Sequence, residues 1–500
     1  MNITKPICML SATLMSVGAM AAKQPNFLFI LNDDQDAATL DVYGDTECST
    51  PNLDQLAKSG IALTGAHQMG SWVGAVSTAS RTMIMTGCNV WNAEELRKNM
   101  TKYEKSSGNA DLAKPNSPEY NSLPAVFHRA GYETFRTCKS GNSYDAANAL
   151  FDYRYDRVNR EGNDEKGSKW HADHVIDYLE ARTADVSDNK KPFFIYLGFS
   201  HPHDPRHGKP ELLEKYGAAD VAHPTSVGES APSVPINWLP EKPFHDGHPD
   251  LRDECKVSGV MERRDEITIR NEKGKEFACI ENIDIQIGRV LEALEATGEL
   301  ENTYIIFTAD HGIAVGKHAF MGKQNLYEHT FRVPFIVSGP NVKKNKMAVG
   351  NTYMMDLLPT LCDLAGIEAP STVDGKSFKA VLEGKQKSIR ETVYGVYSGG
   401  TLPGQRCVKS GDWKLIKYDV LDGTVRETQL FNLKENPNEL MIEHFSPEVI
   451  AITGNKPKAN QVNLANDPRY ADKLAEMEAL LLEQMKSMGD PYRLWNQPAI

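Results

Sequence analysis

Near its start the chain runs Asn26-Phe27-Leu28-Phe29-Ile30-Leu31 and then stops abruptly at Asn32-Asp33-Asp34-Gln35-Asp36. An unbroken apolar run of strand length has no polar side to offer to water, so it predicts a strand covered on both faces. Phe193 to Gly198, Tyr304 to Thr308 and Pro334 to Val337 are runs of the same kind. Helical patterns lie between them. One has Thr50 as N-cap, Pro51 at its first position, Leu53, Leu56 and Ala57 inward and Gly60 as its stop. The clearest spans Cys279 to Thr297, with Ile280, Ile283, Ile287, Val290, Leu291 and Leu294 on one face and Gly298 ending it. Buried strands alternating with helices predict an α/β fold, a large mixed but mostly parallel sheet sandwiched by helices.

The chain has 500 residues, enough for one large domain and a smaller one. A hydrophobic fraction of 40% and a charged fraction of 24% exclude a disordered, collagenous or polytopic membrane protein. The formal charge of −12 argues against nucleic acid as a partner, so an anionic ligand would need locally placed cations. Lys5, the apolar stretch from Ile7 to Val17 and Ala19-Met20-Ala21 read as a signal peptide over residues 1–21, which predicts a periplasmic or secreted protein. No later run approaches the roughly 18 apolar residues of a membrane span. Loss of Cys8 with the signal leaves seven cysteines, none in a CxxC pair, so at least one thiol stays unpaired within a monomer.

Two stretches differ in character. Residues 202 to about 250 carry nine prolines, at 202, 205, 210, 224, 232, 235, 240, 243 and 249, and read as a long loop over the sheet edge. From Glu391 onward short strands are separated by Gly and Asp turns: Thr392 to Tyr397, Arg406 to Lys409, Trp413 to Tyr418 and Gln429 to Leu433. An amphipathic helix with Leu474, Met477, Leu480, Leu481 and Met485 follows. The division expected is a catalytic domain over 22–390 and a small α+β domain over 391–500, with an antiparallel sheet and a terminal helix.

Asp33-Asp34 and Asp310-His311 each follow an apolar strand, and in open α/β sheets ligands bind at the carboxyl ends of strands. Either pair alone could cap a helix or form a turn. Both pairs together point to a cation, because converging carboxylates repel unless one sits between them, and hard divalent cations prefer carboxylate oxygen.

Ser77-Thr78-Ala79-Ser80-Arg81, with Thr86-Gly87 beyond it, resembles the signature of the type I sulfatases, with Ala79 where Pro is commoner. Other segments carry the likeness along most of the chain. They are Asn26 to Asp34, Thr50 to Asp54, Thr308-Ala309-Asp310-His311-Gly312, Gly322-Lys323 with Tyr327-Glu328, Arg332-Val333-Pro334, Asp356 to Thr360, Asp412 to Ile416 and Leu430 to Leu433. The resemblance implies membership of the alkaline-phosphatase superfamily and a Ser-type enzyme in which Ser77 is oxidised to formylglycine by a radical-SAM maturating enzyme. The modified residue would attack sulfur, and its second hydroxyl would expel sulfate. It further implies Ca²⁺, or Mg²⁺, held by Asp33, Asp34, Asp310, His311 and an oxygen on Ser77. Arg81 would partner the modified side chain, Lys139 and Lys323 would bind sulfate, and His203 would protonate the leaving oxygen. His201 and His318 are candidate substrate contacts, and His245, His248 and Arg252 on the Pro-rich loop could present themselves to sugar hydroxyls.

One departure stands out. After its lysine the family usually continues Trp-His-x-Gly, whereas Lys139 is followed by Ser140-Gly141-Asn142. Asn142, His67 or His201 could fill the place of that histidine. The reading that results is an exported sulfatase acting on a sulfated carbohydrate. The alternatives are a phosphatase or phosphodiesterase of the same superfamily using unmodified Ser77, and a non-catalytic relative that binds sulfated glycans.

Overall fold

The computed structural model describes residues 24–44, 47–103, 117, 119–185, 187, 190–221, 223–243, 260 and 263–499. Residues 1–21, read as a signal peptide, and His245, His248 and Arg252 lie outside them. Strands are numbered here in chain order. The principal sheet has eight: β1 (Asn26–Asp33), β2 (Ile61–Leu63), β5 (Glu133–Cys138), β6 (Tyr153–Asp156), β7 (Phe193–Pro202), β8 (Thr303–Ala309), β9 (Phe335–Ser338) and β10 (Lys346–Ala348). Their order is β10-β2-β9-β8-β1-β7-β5-β6. β1 lies parallel between β7 and β8, and only β9 runs against its neighbours. The mixed, mostly parallel sheet is as expected.

Why β1 is central follows from its alternation. Phe27, Phe29 and Leu31 face one core with Met83 and Ile84 of the helix Val76–Thr86, Phe127 of Leu123–Arg129 and Leu358 and Leu361 of Leu357–Ala365. Leu28 and Ile30 face the other, with Leu53 and Leu56 of Pro51–Ser59, Val175 and Leu179 of Ser168–Ala184 and Ile283 and Ile287 of Glu266–Ala296. Helices cover both faces, so every residue of β1 is buried.

Two helices differ from expectation at their starts. Thr50 precedes Pro51–Ser59 but makes no side-chain cap; Asp284 of the long helix accepts instead from the Asn52 and Leu53 amides at 3.1 and 2.8 Å. The long helix itself begins at Glu266, with the Asp265 carboxylate accepting from Thr268 N. Its upstream half contains Lys273-Gly274-Lys275. Gly274 is there for room: a Cβ would stand 2.8 Å from both Ala218 Cβ and the Tyr216 carbonyl.

The C-terminal segment forms an antiparallel sheet from β12 (Thr392–Tyr397), β13 (Gly404–Ser410), β14 (Trp413–Val420) and β15 (Val425–Asn432), with the helix Ala471–Ser487 packed through Met477, Leu481 and Met485. Its fifth strand comes from far upstream. β4 (Gly70–Ser71) pairs parallel to β12, with Gly70 opposite Val396. One hydrophobic cluster runs from Phe27 and Phe29 through to Leu415 and Leu430, so the two sheets share a core. A two-stranded pairing of β3 (Ala66–His67) with β11 (Thr352–Tyr353) completes the strand pattern. None of the six described cysteines is in a disulfide. No helix among the described residues is long and apolar enough to cross a membrane.

Candidate active site

The site forms where β1 and β8 end side by side. Three bonds staple these ends: Asp310 N to Asn32 O at 3.0 Å, Gln35 N to His311 O at 2.8 Å, and Asp34 N to Asp310 Oδ1 at 3.1 Å. Successive side chains of a strand point to opposite faces, which would separate Asp33 from Asp34. Asp34 instead adopts a left-handed conformation (φ 65°), which Asp tolerates better than most residues. The turn brings both carboxylates to the same place, and Asp33, Asp34 and Asp310 each offer an oxygen within 4.8 Å of the others.

Cations surround this cluster. Arg81 Nε lies 2.9 Å from Asp310 Oδ2, and its Nη2 lies 3.3 Å from Asp33 Oδ1. Lys139, just past β5, binds Asp33 Oδ2, and Lys323 binds Asp34 Oδ2. Ser77 Oγ donates to Asp33 Oδ1 at 3.3 Å from the first turn of the helix Val76–Thr86. His203 Nδ1 lies 2.7 Å from the Asp204 carbonyl, an acceptor, so that nitrogen carries the hydrogen. His203 Nε2 then faces Asp34 Oδ2 at 3.6 Å.

Burial sets the protonation behaviour. It opposes ionisation of Asp33, but Lys139, Arg81, His203 and Arg160 together hold that carboxyl well below its usual value. Asp34 is pushed up by burial, against the pull of Lys323. Burial lowers Lys139 to about 8 despite Asp33, and burial with Lys323 lowers His203. Asp34 Oδ1 is buried and has no hydrogen-bond partner. An unpartnered carboxylate oxygen within a set of three is what a hard divalent cation fits.

Eight residues read from the sequence therefore converge: Asp33, Asp34, Ser77, Arg81, Lys139, His203, Asp310 and Lys323. His311 is at the same strand end, but its Nδ1 lies 2.8 Å from the Gly312 carbonyl and its side chain is not in the 4.8 Å group. His201 is buried at the end of β7 near Arg160, and burial lowers it to about 3. His318 is fully buried, stacked 4.2 Å from Tyr327 with Nε2 3.2 Å from Asn237 Nδ2, so no face of it is open to a glycan. Asn142 is exposed in a left-handed turn, and His67 packs 4.7 Å from Phe331; no contact ties either to the carboxylates. The residue that sequence reasoning missed is Arg160, whose Nη2 donates to Asp33 Oδ2 at 2.8 Å. Its signal was topological: it follows β6, a four-residue strand at the sheet edge.

A buried three-carboxylate cluster ringed by fixed cations, at the strand ends of an α/β sheet, can hold a divalent cation and an anionic group beside it. Comparison with known proteins names the family. The sulfatase family model matches residues 25–367, and the model for the C-terminal part of N-sulphoglucosamine sulphohydrolase matches 316–476. The chain belongs to the sulfatase family and is a sulfuric ester hydrolase. It is 27% identical over 504 residues to the uncharacterized sulfatase YidJ of Escherichia coli, covering 94% of this chain and 89% of that one. It is 26% identical over 538 residues to the N-acetylglucosamine-6-O-sulfatase of Bacteroides thetaiotaomicron, covering 94% and 87%. A solved protein in complex with its substrate D-glucosamine-2-N,6-O-disulfate shares the fold, with TM-score 0.65, 21% identity and coverage of 95% and 100%.

Proposed function

We propose that this chain is an exported sulfatase that removes a sulfate ester from a sulfated carbohydrate, using formylglycine formed from Ser77 and Ca²⁺, or Mg²⁺. The observation that carries the reading is the meeting of Ser77, Arg81, Lys139 and Lys323 around Asp33, Asp34 and Asp310. Relatives named for sulfated sugars support the choice of substrate class, among them the N-acetylglucosamine-6-O-sulfatase.

Asp33, Asp34 and Asp310 would hold the cation, with His311 as a further ligand; bound there, it would polarise the sulfate ester. Formylglycine would supply the nucleophilic oxygen. Lys139 and Lys323 would take the sulfate oxygens as compact charges already fixed in place, so little reorganisation remains when charge develops. Arg81, tied to two carboxylates, would orient the group formed at Ser77. His203 would deliver a proton to the leaving alkoxide from Nε2, since Nδ1 is committed to the Asp204 carbonyl and carboxylate. Maturation would require a radical-SAM partner enzyme.

The test is sulfate release from a panel of defined sulfated mono- and disaccharides by protein co-produced with a Ser-type maturating enzyme. Release from at least one sugar sulfate is expected, and removal of divalent cations should abolish it. Hydrolysis of aryl phosphate with no sulfate release would favour the phosphatase reading instead.

A further inference from the structure

Arg160 is placed to do more than neutralise Asp33. Its guanidinium donates in three directions: Nη2 to Asp33 Oδ2 at 2.8 Å, Nε to the Ser200 carbonyl at 2.8 Å and Nη1 to the Asp204 carbonyl at 2.7 Å. The segment carrying it is itself fixed. Arg157 N donates to Cys138 O at 2.9 Å, at the end of β5, and Asn159 N donates to Ser200 Oγ at 3.2 Å. The Asp204 carbonyl is also the oxygen that His203 Nδ1 binds. One rigid planar group therefore links the first carboxylate of the cluster to the Asp204 carbonyl, which with Asp204 Oδ1 at 3.0 Å holds the Nδ1 side of the His203 ring.

We propose that Arg160 is a positioning residue that sets the distance between the Asp33 cluster and the proton donor His203. The inference rests on the function proposed above and adds a part to that site. A guanidinium suits the task because its N–H groups diverge in a fixed plane, whereas an ammonium is a single point of charge on a flexible stem. Misplacement of a reacting group by about 1 Å can cost on the order of 100-fold in rate. The loss should fall on kcat, and should be greatest where the leaving oxygen most needs a proton.

The test compares Arg160→Gln and Arg160→Lys with the matured holoenzyme on two probes, the best sugar sulfate of the panel and 4-nitrophenyl sulfate. Both variants should lose roughly 10- to 100-fold in kcat on the sugar sulfate, with KM changed far less. The loss should be at least about tenfold smaller on the aryl sulfate, whose phenolate leaves without a proton. Hydrogen exchange supplies a readout independent of turnover: Arg160→Gln should speed exchange across residues 199–206 while 193–198 stays protected. Wild-type kcat in Arg160→Lys, equal losses on both probes, or unchanged exchange across 199–206 would each overturn the proposal. If wild-type protein released no sulfate from any ester, the proposed function would fall, and the exchange arm would still decide whether Arg160 holds this segment.

Discussion

His171 makes the acid sensitivity of this protein a quantity that can be worked out. It lies on the helix Ser168–Ala184, is fully buried, and has Thr137 Oγ1 2.8 Å from Nδ1 and Ser200 Oγ 3.4 Å from Nε2. Burial first, then His174, Arg136, His201 and Arg81, lowers it from 6.5 to about 3. The folded protein therefore holds His171 neutral at pH 5, while the unfolded chain protonates it below about 6.5. A base lowered by folding favours the unfolded state as pH falls, so stability drops from about pH 6.5 down to about pH 3. The one and a half pH units between 6.5 and 5 amount to about 2 kcal/mol from this side chain alone. That figure needs only a folded value well under 5.

His171→Asn keeps a polar atom near Thr137 and removes the titration. The variant should be less stable than the parent at pH 7.5, by about 1–2 kcal/mol for the lost ring contacts and hydrogen bond. It should then lose about 2 kcal/mol less than the parent between pH 7.5 and pH 5, so the two stability curves converge. Equilibrium urea unfolding at a series of pH values reads both quantities. Parallel curves for parent and variant would refute the reasoning, because they would mean that His171 takes up its proton equally in both states.

Two further outcomes follow from the geometry. Ser77→Ala should abolish sulfate release yet change stability by under about 1 kcal/mol, since the hydroxyl makes one hydrogen bond of 3.3 Å; in matured parent protein, the Ser77 peptide should be lighter by one hydrogen molecule and react with carbonyl reagents in mass spectrometry. Gly70→Ala should cost about 3 kcal/mol and reduce turnover, because φ is +112° and a Cβ would stand 1.7 Å from the Val396 carbonyl, at the pairing of β4 with β12 just before the loop to Ser77; unfolding and kinetics measured on the same preparation would check it.

The parts of the site that are readable in the sequence are those attached to strong local patterns. Asp33, Asp34 and Asp310 follow apolar runs, and such runs must end at an edge of the sheet, where ligands bind. Ser77 and Arg81 belong to a contiguous signature. Arg160 has no such context: its partner Asp33 is 127 residues away, and β6 is too short to announce itself as a strand. The surroundings of His318 were illegible for a related reason. The groups that enclose it, Asn237 and His444, come from distant parts of the chain, so its burial is a property of the assembled fold. The antiparallel course of β9 and the recruitment of β4 into the C-terminal sheet are likewise pairing decisions, made by register between remote segments.

An acidic chain with a site for an anion is not a contradiction, and the distances say why. Charges on the surface act through water and salt, with a screening length of about 10 Å at 0.1 M. Arg81, Lys139 and Lys323 are nearly fully buried and in contact with Asp33, Asp34 or Asp310, so their fields reach a neighbouring group with little screening. With Arg160 they set four basic side chains against three carboxyl groups, even before a divalent ion is counted. The arrangement has a cost that burial reveals: Lys139 is lowered to about 8 although it touches a carboxylate. The net charge of −12 therefore governs solubility and long-range approach, while the field at the cluster is set within the first few ångströms of Asp33.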